Sequence, residues 1–310
     1  MPLVRCWSCV NMSVNLSSES DENDSRLKTL PPVGVEALDG PVPRVRLPGH
    51  RYVTLCLCPR NPGVTIDVDL TPDSACKFDC VYCSTRGQAD PTALFQLDIF
   101  ENELNEALDA VLASGWLREV AFPGLDALDM RFGQVAFSGS GEPTLCPFLP
   151  SAVRAVVHQR ARGDRTFFKM ILLTNGSLLN RAGVMSALEM FCGVDELWVK
   201  LDAGEPEAFE KVTRGDVSLD DILANLGDVG KRFPITIQTV LFHLDAEAGH
   251  QCVPVADCLK ELIANGVRLE RVQLGTVWGG PPRVKALSVQ ELSKACRVMN
   301  DRTGLPVEMY

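Results

Sequence analysis

The sequence of 310 residues contains no apolar run that approaches the ~20 residues needed to span a membrane as a helix. Its beginning, Met1–Asn15, also lacks the continuous apolar core of a signal peptide. Twelve cysteines without secretory features indicate free or metal-bound thiols rather than disulfides. We therefore expect a cytoplasmic protein with no membrane partner.

Positive charge is in deficit, with 30 Lys and Arg against 40 Asp and Glu and a net charge of −10. Tight nucleic-acid binding needs a basic face, because phosphate contacts dominate the affinity. Two local basic patches exist: one before the first predicted strand, with Arg44, Arg46, Arg51 and Arg60, and one from His158 to Lys169. The second falls at the predicted C-terminal end of a helix, where cations are favoured anyway. Nucleic acid is therefore an unlikely partner, and we predict no tight binding of tRNA by this chain alone.

The chain divides into a tail and one domain. Residues 1–38 include the polar, acidic stretch Ser17–Asp24, which cannot bury a core, and are predicted to be disordered. Residues 39–310 are predicted to form the folded domain, since 46% of the sequence is apolar and the length supports a substantial core.

From Val64 onward, segments of strand character alternate with amphipathic helices about six times. This alternation predicts parallel βαβ units and an α/β fold. Six units are too few for a closed eight-stranded barrel. The predicted strands are 64–70, 135–138, 168–174, 196–202, 235–243 and 271–277, and the predicted helices are 97–112, 148–160, 178–190, 218–230, 253–265 and 288–303.

One set of alternate residues in these strands is apolar and the other is polar. Because successive side chains of a strand point to opposite faces, the apolar set should meet the helices and the polar set should line an interior. A polar interior is costly unless it holds ligands, although a self-satisfied network such as a Lys200–Asp202 pair is an open alternative. The polar set contains Asp67, Asp69, Lys200, Asp202, Thr236, Gln238 and Gln273.

Three cysteines, Cys76, Cys80 and Cys83, are spaced C-x3-C-x2-C. No histidine or further cysteine stands between Cys83 and Cys146, so a compact four-ligand zinc site is incomplete here. A [4Fe–4S] cluster also normally takes four thiolates, and with three of them one iron keeps an open position. A zinc site with a distant fourth ligand and a chance grouping of cysteines are the alternatives.

This spacing, with the aromatic Tyr82 just before the third cysteine, resembles the signature of the radical S-adenosylmethionine (SAM) superfamily. The resemblance implies a [4Fe–4S] cluster on Cys76, Cys80 and Cys83, with SAM on the open iron and Tyr82 beside the adenine. It implies reductive cleavage of SAM to a 5′-deoxyadenosyl radical, and hence an oxidoreductase-type enzyme with an electron donor such as a flavodoxin or ferredoxin. It also implies an open partial (β/α)6 TIM-like barrel, with which the polar strand faces agree.

Two further stretches support the resemblance. Gly141 and Glu142, in Ser138–Thr144, resemble the G-G-E-P motif that holds the amino group of SAM, although Ser140 replaces the first glycine. The stretch from Gly40 to Arg46 resembles the G-P-V-P-S-R-R-L-G opening of a branch that includes relatives of tRNA 4-demethylwyosine synthase, with Val45 separating its two arginines.

The sequence therefore predicts a radical SAM enzyme that acts on a small-molecule or peptide substrate. A tRNA-modifying, wyosine-synthase-like enzyme and a non-catalytic metal-binding protein are the alternatives. Further thiols, Cys6 with Cys9 and Cys56 with Cys58, could bind a second metal but lack an evident second pair of ligands. Thr174 and Asn175, at the end of a predicted strand, are candidate cofactor-binding residues, and Lys200, Asp202 and Gln238 are candidate catalytic residues.

Overall fold

The computed structural model describes most of one unit, Gly34–Tyr310. The described residues are 35–38, 42–58, 60, 63–83, 92–113, 115–124, 131–163, 165–244, 251–278, 281 and 283–310. The predicted disordered tail therefore falls outside the described residues up to residue 34, and it stays a prediction there.

Within the described residues, eleven strands form one large sheet in the order β1-β2-β3-β4-β5-β6-β7-β8-β9-β11, with β10 paired to β8. The strands are β1 Glu36–Leu38, β2 Arg44–Arg46, β3 Val53–Leu57, β4 Val64–Val68, β5 Phe132–Phe137, β6 Lys169–Thr174, β7 Glu196–Lys200, β8 Ile235–Leu244, β9 Leu269–Thr276, β10 Val284–Ala286 and β11 Val307–Met309.

Seven α-helices connect these strands in the described part of the chain. Two of them begin with a capping box, Ser218 with Asp221 and Ser288 with Glu291, in which each pair satisfies the first free amides of its helix. None of the helices in the described ranges is both long enough and apolar enough to cross a membrane. The helices are α1 Leu97–Leu112, α2 Leu149–Ala161, α3 Ala182–Leu188, α4 Pro206–Thr213, α5 Leu219–Gly230, α6 Cys252–Ala264 and α7 Val289–Thr303.

The six strands β4 to β9 are parallel and follow one another in the sheet in chain order. This confirms the predicted βα alternation and the α/β class. Crossovers between parallel strands are almost always right-handed, so the five crossovers from β4 to β9, all in one direction, place their helices on one face of the sheet. The other face of the sheet is therefore not covered by these helices.

Several elements differ from the prediction. The helix predicted at 178–190 extends only over Ala182–Leu188, because residues 178–181 form turns. The antiparallel strands β1 to β3, the strands β10 and β11, and helix α4 were not predicted. Strand β1, at the end of the predicted tail, pairs with β2 and so extends the sheet.

The apolar set of strand residues forms the core beneath the helices. Helix α1 contributes Phe100, Leu104 and Leu108, which are fully buried. Complete burial of one such side chain contributes about 1.5–3 kcal/mol. The strand side of this core contains Val64, Ile66, Val68, Val135, Phe137, Met170, Leu172, Leu197, Val199, Ile235, Ile237, Val272 and Leu274.

The opposite parity of the same strands forms what we call the polar face. Its members stand side by side in register across neighbouring strands, as in the row Lys200, Gln238 and Gln273. The polar face consists of Thr65, Asp67, Gln134, Lys169, Glu196, Trp198, Lys200, Thr236, Gln238, Arg271 and Gln273.

The polar face is largely buried although the core helices lie on the other side. Gln134 and Gln273 are 2% and 1% exposed. The Arg60 guanidinium, which precedes β4, stands 5.8 Å from the Trp198 ring on β7, and the Tyr310 hydroxyl after β11 donates to the Arg60 carbonyl at 3.3 Å. These contacts join residues on either side of the polar face that are distant in the order of the sheet.

Candidate active site

The cysteine loop follows β4 directly and is held by the end of a helix. The amides of Asp79 and Val81 donate to the carbonyls of Thr213 and Val212, at 2.7 and 2.9 Å. These carbonyls belong to the last turn of α4, where helical carbonyls lack partners within the helix. The loop therefore obtains its backbone anchorage from α4.

Arg214 and Gly215 complete this anchorage, and sequence reasoning missed both. Arg214 ends α4 in the left-handed conformation (φ 50°), and its guanidinium donates to the Asp79 carbonyl at 2.7 Å and to the Asp79 carboxylate at 2.9 Å. A Cβ at Gly215 would stand 2.5 Å from the Lys77 carbonyl oxygen. A glycine just after a helical pattern, as in Arg214-Gly215, is a helix-termination signal. Nothing in the local sequence connects this signal with the cysteines.

The loop carrying Gly141 and Glu142 packs against the residue before the first cysteine. A Cβ at Gly141 would stand 2.3 Å from the Ala75 carbonyl oxygen, which excludes a side chain there. The Glu142 amide donates to the same carbonyl at 2.8 Å. Ser140, where the motif has glycine, donates from its hydroxyl to Asp69 at 2.6 Å. The departure from the motif thus adds a contact that positions the loop.

Glu142 is a buried carboxylate with donors around it. Its Oε1 accepts from the Thr144 hydroxyl and from the Thr174 hydroxyl, both at 2.5 Å, and from the Thr144 amide at 3.2 Å. Its Oε2 accepts the Asn175 amide at 2.8 Å, which leaves Oε2 with capacity for a second donor. Burial raises the pKa of Glu142, and these hydrogen bonds act in the opposite direction.

Asn175 connects this carboxylate with the cysteine loop. While its backbone amide bonds Glu142, its side-chain Nδ2 donates to Cys76 Sγ at 3.5 Å. The predicted cofactor-binding residues Thr174 and Asn175 therefore lie against Glu142 and the first cysteine. One hydrogen-bonded chain runs from the G-E-P loop to a thiol.

Tyr82, Lys200 and Asp202 form a second group across the cysteine loop. The Tyr82 hydroxyl donates to Asp202 Oδ2, and the Lys200 ammonium lies 4.9 Å from the centre of the Tyr82 ring. Lys200 Nζ lies 3.7 Å from Asp202 Oδ2, and Asp202 Oδ1 accepts a hydrogen bond from the Val240 amide at 2.7 Å. Burial, followed by the charge of Asp202, raises the pKa of Tyr82. The alternative of a Lys200–Asp202 pair is thus partly realised, within a larger group that includes the loop tyrosine.

Gln238 lies on the polar face in the same row as Lys200, and it is 3% exposed. Its Nε2 has no hydrogen-bond partner among the described residues. It is therefore close to the predicted site without being part of either hydrogen-bonded group.

None of the three cysteines is in a disulfide, and Cys76 and Cys83 are exposed whereas Cys80 is half-buried. Burial raises the pKa of Cys80 to about 12, so metal binding there would displace a proton. Among the described residues, no three His, Cys, Asp or Glu side chains are grouped closely enough to hold one metal ion. The loop itself supplies three thiol ligands, one fewer than a structural zinc site takes.

In the described part of the chain, the other cysteines provide no second set of metal ligands. Cys56 lies on β3 and Cys58 just beyond it, and no metal-binding group forms around them among the described residues. Cys6 and Cys9 lie outside the described residues, so the expectation that they lack a second pair of ligands stays a prediction.

Comparison with known proteins gives several partial likenesses, and no family model matches the chain. The UPF0026 protein slr1464 of Synechocystis is 25% identical over 253 residues, which are 76% of this chain and 86% of that protein. A GTP 3′,8-cyclase of Rhodopseudomonas palustris is 31% identical over 167 residues, 53% of this chain, and the match spans only 41% of the cyclase.

Two solved structures have a similar fold. A radical SAM methyltransferase from Sphaerobacter thermophilus has a TM-score of 0.61 at 15% identity, covering 91% of this chain and 77% of that one. TYW1 with a lysine-pyruvate adduct bound has a TM-score of 0.56 at 17% identity, covering 81% and 84%. At these identities, the likenesses show the fold alone. Together with the sequence relatives, they confirm the resemblance to radical SAM enzymes that the cysteine motif predicts, and the similarity to wyosine-synthase relatives that the stretch from Gly40 to Arg46 predicts.

Proposed function

We propose that this chain is a radical SAM enzyme with a partial (β/α)6 barrel, in which Cys76, Cys80 and Cys83 hold a [4Fe–4S] cluster. When bound, the cluster and SAM supply an electron and a 5′-deoxyadenosyl radical that abstracts a hydrogen atom from the substrate. The substrate is a small molecule or peptide that lies against the polar face. The electron comes from a donor protein such as a flavodoxin or ferredoxin, in the cytoplasm.

The observation that carries this proposal is the hydrogen-bonded chain from Glu142 through Asn175 to Cys76. A carboxylate placed to receive an ammonium group and a thiol placed to bind iron are joined by one residue. A zinc-binding or chance group of cysteines gives no reason for such a link. SAM offers both an ammonium group and a ligand for an open iron, so it fits both ends.

The residues of the chain then have distinct tasks. Glu142 Oε2, with its remaining capacity, accepts the ammonium group of SAM, while Gly141 lets the loop approach the cysteines closely. Tyr82 provides a ring beside the adenine, and Asp202 fixes that ring through the tyrosine hydroxyl. Lys200 faces the same space and offers a cation to a carboxylate of SAM or of the substrate.

The wyosine-synthase-like alternative needs a basic surface for tRNA. The run from His158 to Lys169 is a weak candidate, because three of its cations are engaged in ion pairs: Arg160 with Asp195, Arg165 with Asp109, and Lys169 with Glu196. Of the other patch, Arg44 and Arg46 lie on β2, where Arg44 pairs with Asp67 of the polar face at 2.8 Å. These contacts favour a small substrate over tRNA.

Anaerobic reconstitution with iron and sulfide, followed by visible absorbance and a 5′-deoxyadenosine assay, tests the proposal. We expect Cys80→Ala to lose the cluster absorbance and SAM cleavage together. Cys192→Ala, which changes an exposed cysteine beyond α3, is the matched control and should retain both. Reductive cleavage of SAM by the Cys80→Ala variant would refute the assignment.

A further inference from the structure

Buried polar atoms without partners are concentrated on two strands of the polar face. Thr236 Oγ1, Gln238 Nε2 and both side-chain polar atoms of Gln273 have no hydrogen-bond partner in the described part of the chain. These residues are 1%, 3% and 1% exposed. A buried polar group without a partner costs stability, and each such group calls for an explanation.

Arg60 covers the same part of the sheet. Its backbone carbonyl is bonded by the Tyr310 hydroxyl after β11, and its guanidinium lies 5.8 Å from the Trp198 ring on β7. Strands β8 and β9, which carry the three unpartnered side chains, lie between β7 and β11 in the sheet. Trp198 is in register with Thr236 on the neighbouring strand β8, so the Arg60 guanidinium and the side chains of Thr236, Gln238 and Gln273 face the same space above the polar face.

This space is rich in donors and carries positive charge. Arg60 brings a guanidinium, for which the described residues show no ion pair; its charge acts on Asp67, but the Asp67 carboxylate pairs with Arg44 at 2.8 Å. Gln238 and Gln273 each add an amide NH2 group. Several N–H donors that converge on one space, including the planar, two-pronged guanidinium of Arg60, suit an oxyanion such as a carboxylate or phosphate.

We propose that Arg60, Gln238, Gln273 and Thr236 form the substrate subsite and that the substrate is a small molecule with a carboxylate or phosphate group, held over the Trp198 ring. This rests on the proposed function and specifies its substrate class. Gln238 and Gln273 lie in the same row as Lys200, which faces Tyr82. The anionic end of the substrate thus binds against the sheet, while the rest of the molecule extends towards the cysteine loop.

The alternative is that ordered water satisfies these atoms and that no ligand binds. The two explanations predict opposite effects of one substitution. If the Gln273 amide awaits a ligand, Gln273→Leu relieves an unsatisfied group and raises the melting temperature of the ligand-free protein. If water already satisfies it, the same substitution lowers the melting temperature.

Thermal shift and calorimetry on the reconstituted protein with SAM test the ligand class. One arm compares succinate with the neutral succinamide, and the other compares glycerol phosphate with glycerol. We expect one of the two anions to bind and its neutral partner not to bind. Arg60→Gln should weaken that binding about tenfold or more, the loss typical of one charged hydrogen bond, whereas Arg232→Gln, an exposed arginine paired with Glu189, should leave it unchanged.

Failure of both anions to bind, equal binding of the neutral partners, or undiminished binding to Arg60→Gln would overturn the inference. A lower melting temperature for Gln273→Leu would also overturn it. This second variant keeps the inference testable if Arg60→Gln does not fold. A protein that cleaves SAM but shows any of these results retains the proposed function and loses only the subsite. The proposed function itself is tested separately, by whether the cysteine variants lose the cluster and SAM cleavage.

Discussion

Replacing Glu142 with glutamine separates the binding of SAM from the folding of the site. The four donors on this carboxylate include the backbone amides of Thr144 and Asn175, which cannot turn away. Alanine would strand both, at about 1–3 kcal/mol each, against a total stability of about 5–15 kcal/mol. Glutamine keeps one acceptor oxygen and removes the charge, so it is the sharper change.

The expected effect on SAM follows from the loss of one charge-assisted hydrogen bond to an ammonium group. Such a bond contributes about 1.5–3 kcal/mol, which corresponds to a roughly ten- to hundredfold weaker affinity. Titration calorimetry on the reconstituted protein measures it, with iron content as the check that the cluster is intact. SAM affinity that is unchanged in Glu142→Gln would remove Glu142 from the site.

Glu103 offers a matched control. It is also a buried carboxylate that accepts backbone amides, those of Arg51, Tyr52 and Val53 at 2.7, 2.8 and 3.1 Å, but it lies on α1 against β3. Glu103→Gln should lower the melting temperature and leave SAM affinity unchanged. If both variants weaken the affinity for SAM equally, the effect of Glu142→Gln comes from lost stability rather than from a lost contact with the ammonium group.

The pH dependence of binding provides an independent reading. Burial raises the pKa of Glu142, so this carboxyl takes up a proton at a higher pH than an ordinary glutamate does. Only the ionised form attracts an ammonium group. The affinity of the wild type for SAM should therefore fall as the pH is lowered towards that raised pKa, and the Glu142→Gln variant should lack this part of the dependence.

Four further outcomes are expected. Burial alone would raise the pKa of Glu196, but hydrogen bonds from Lys169 and Trp198 lower the pKa overall. The ionised Glu196 therefore stabilises the fold fully above pH 4.5, the ordinary pKa of glutamate, and this stabilisation is lost as the pH falls through the lowered pKa. Urea unfolding across pH should show this loss in the wild type and not in Glu196→Gln. Arg214→Ala should reduce the iron bound per chain after reconstitution, and Arg232→Ala should not. Asn175→Ala removes a hydrogen bond to the Cys76 sulfur and should make the cluster potential more negative in a redox titration followed by electron paramagnetic resonance. Bulk tRNA should show no submicromolar binding in an anisotropy titration near physiological salt.

Much of the architecture was predictable because it depends on local periodicity. The alternation of strand and helix from Val64 to α7 follows from period-two and helical apolar spacing, and the polar parity of the strands identified a second, buried face. The cysteine spacing and the Gly141–Glu142 turn identified the two loops of the candidate site. Each of these signals lies within a few residues of its own element.

The remaining features depend on contacts between distant residues. Strands β1 to β3 and β11 are short, and their pairing is decided by the neighbouring strand rather than by their own sequence. The anchorage of Asp79 by Arg214 and the reach of Arg60 to Trp198 each join segments more than a hundred residues apart. No local pattern predicts such pairs, which explains why the sequence indicated a polar interior and a basic patch that includes Arg60, but not the contact of Arg60 with Trp198.

The chain-order arrangement of β4 to β9 has a consequence for the order in which the molecule assembles. Each βα unit can add to the one before it as synthesis proceeds from the N-terminus, because its neighbour in the sheet is already present. The cysteine loop belongs to the first of these units, yet its anchor on α4 is synthesised much later, after β7. The loop therefore exists without this anchorage while β5 to β7 are being made. Stable loading of a metal group on the cysteines would thereby wait for a helix that lies three strands further along the chain.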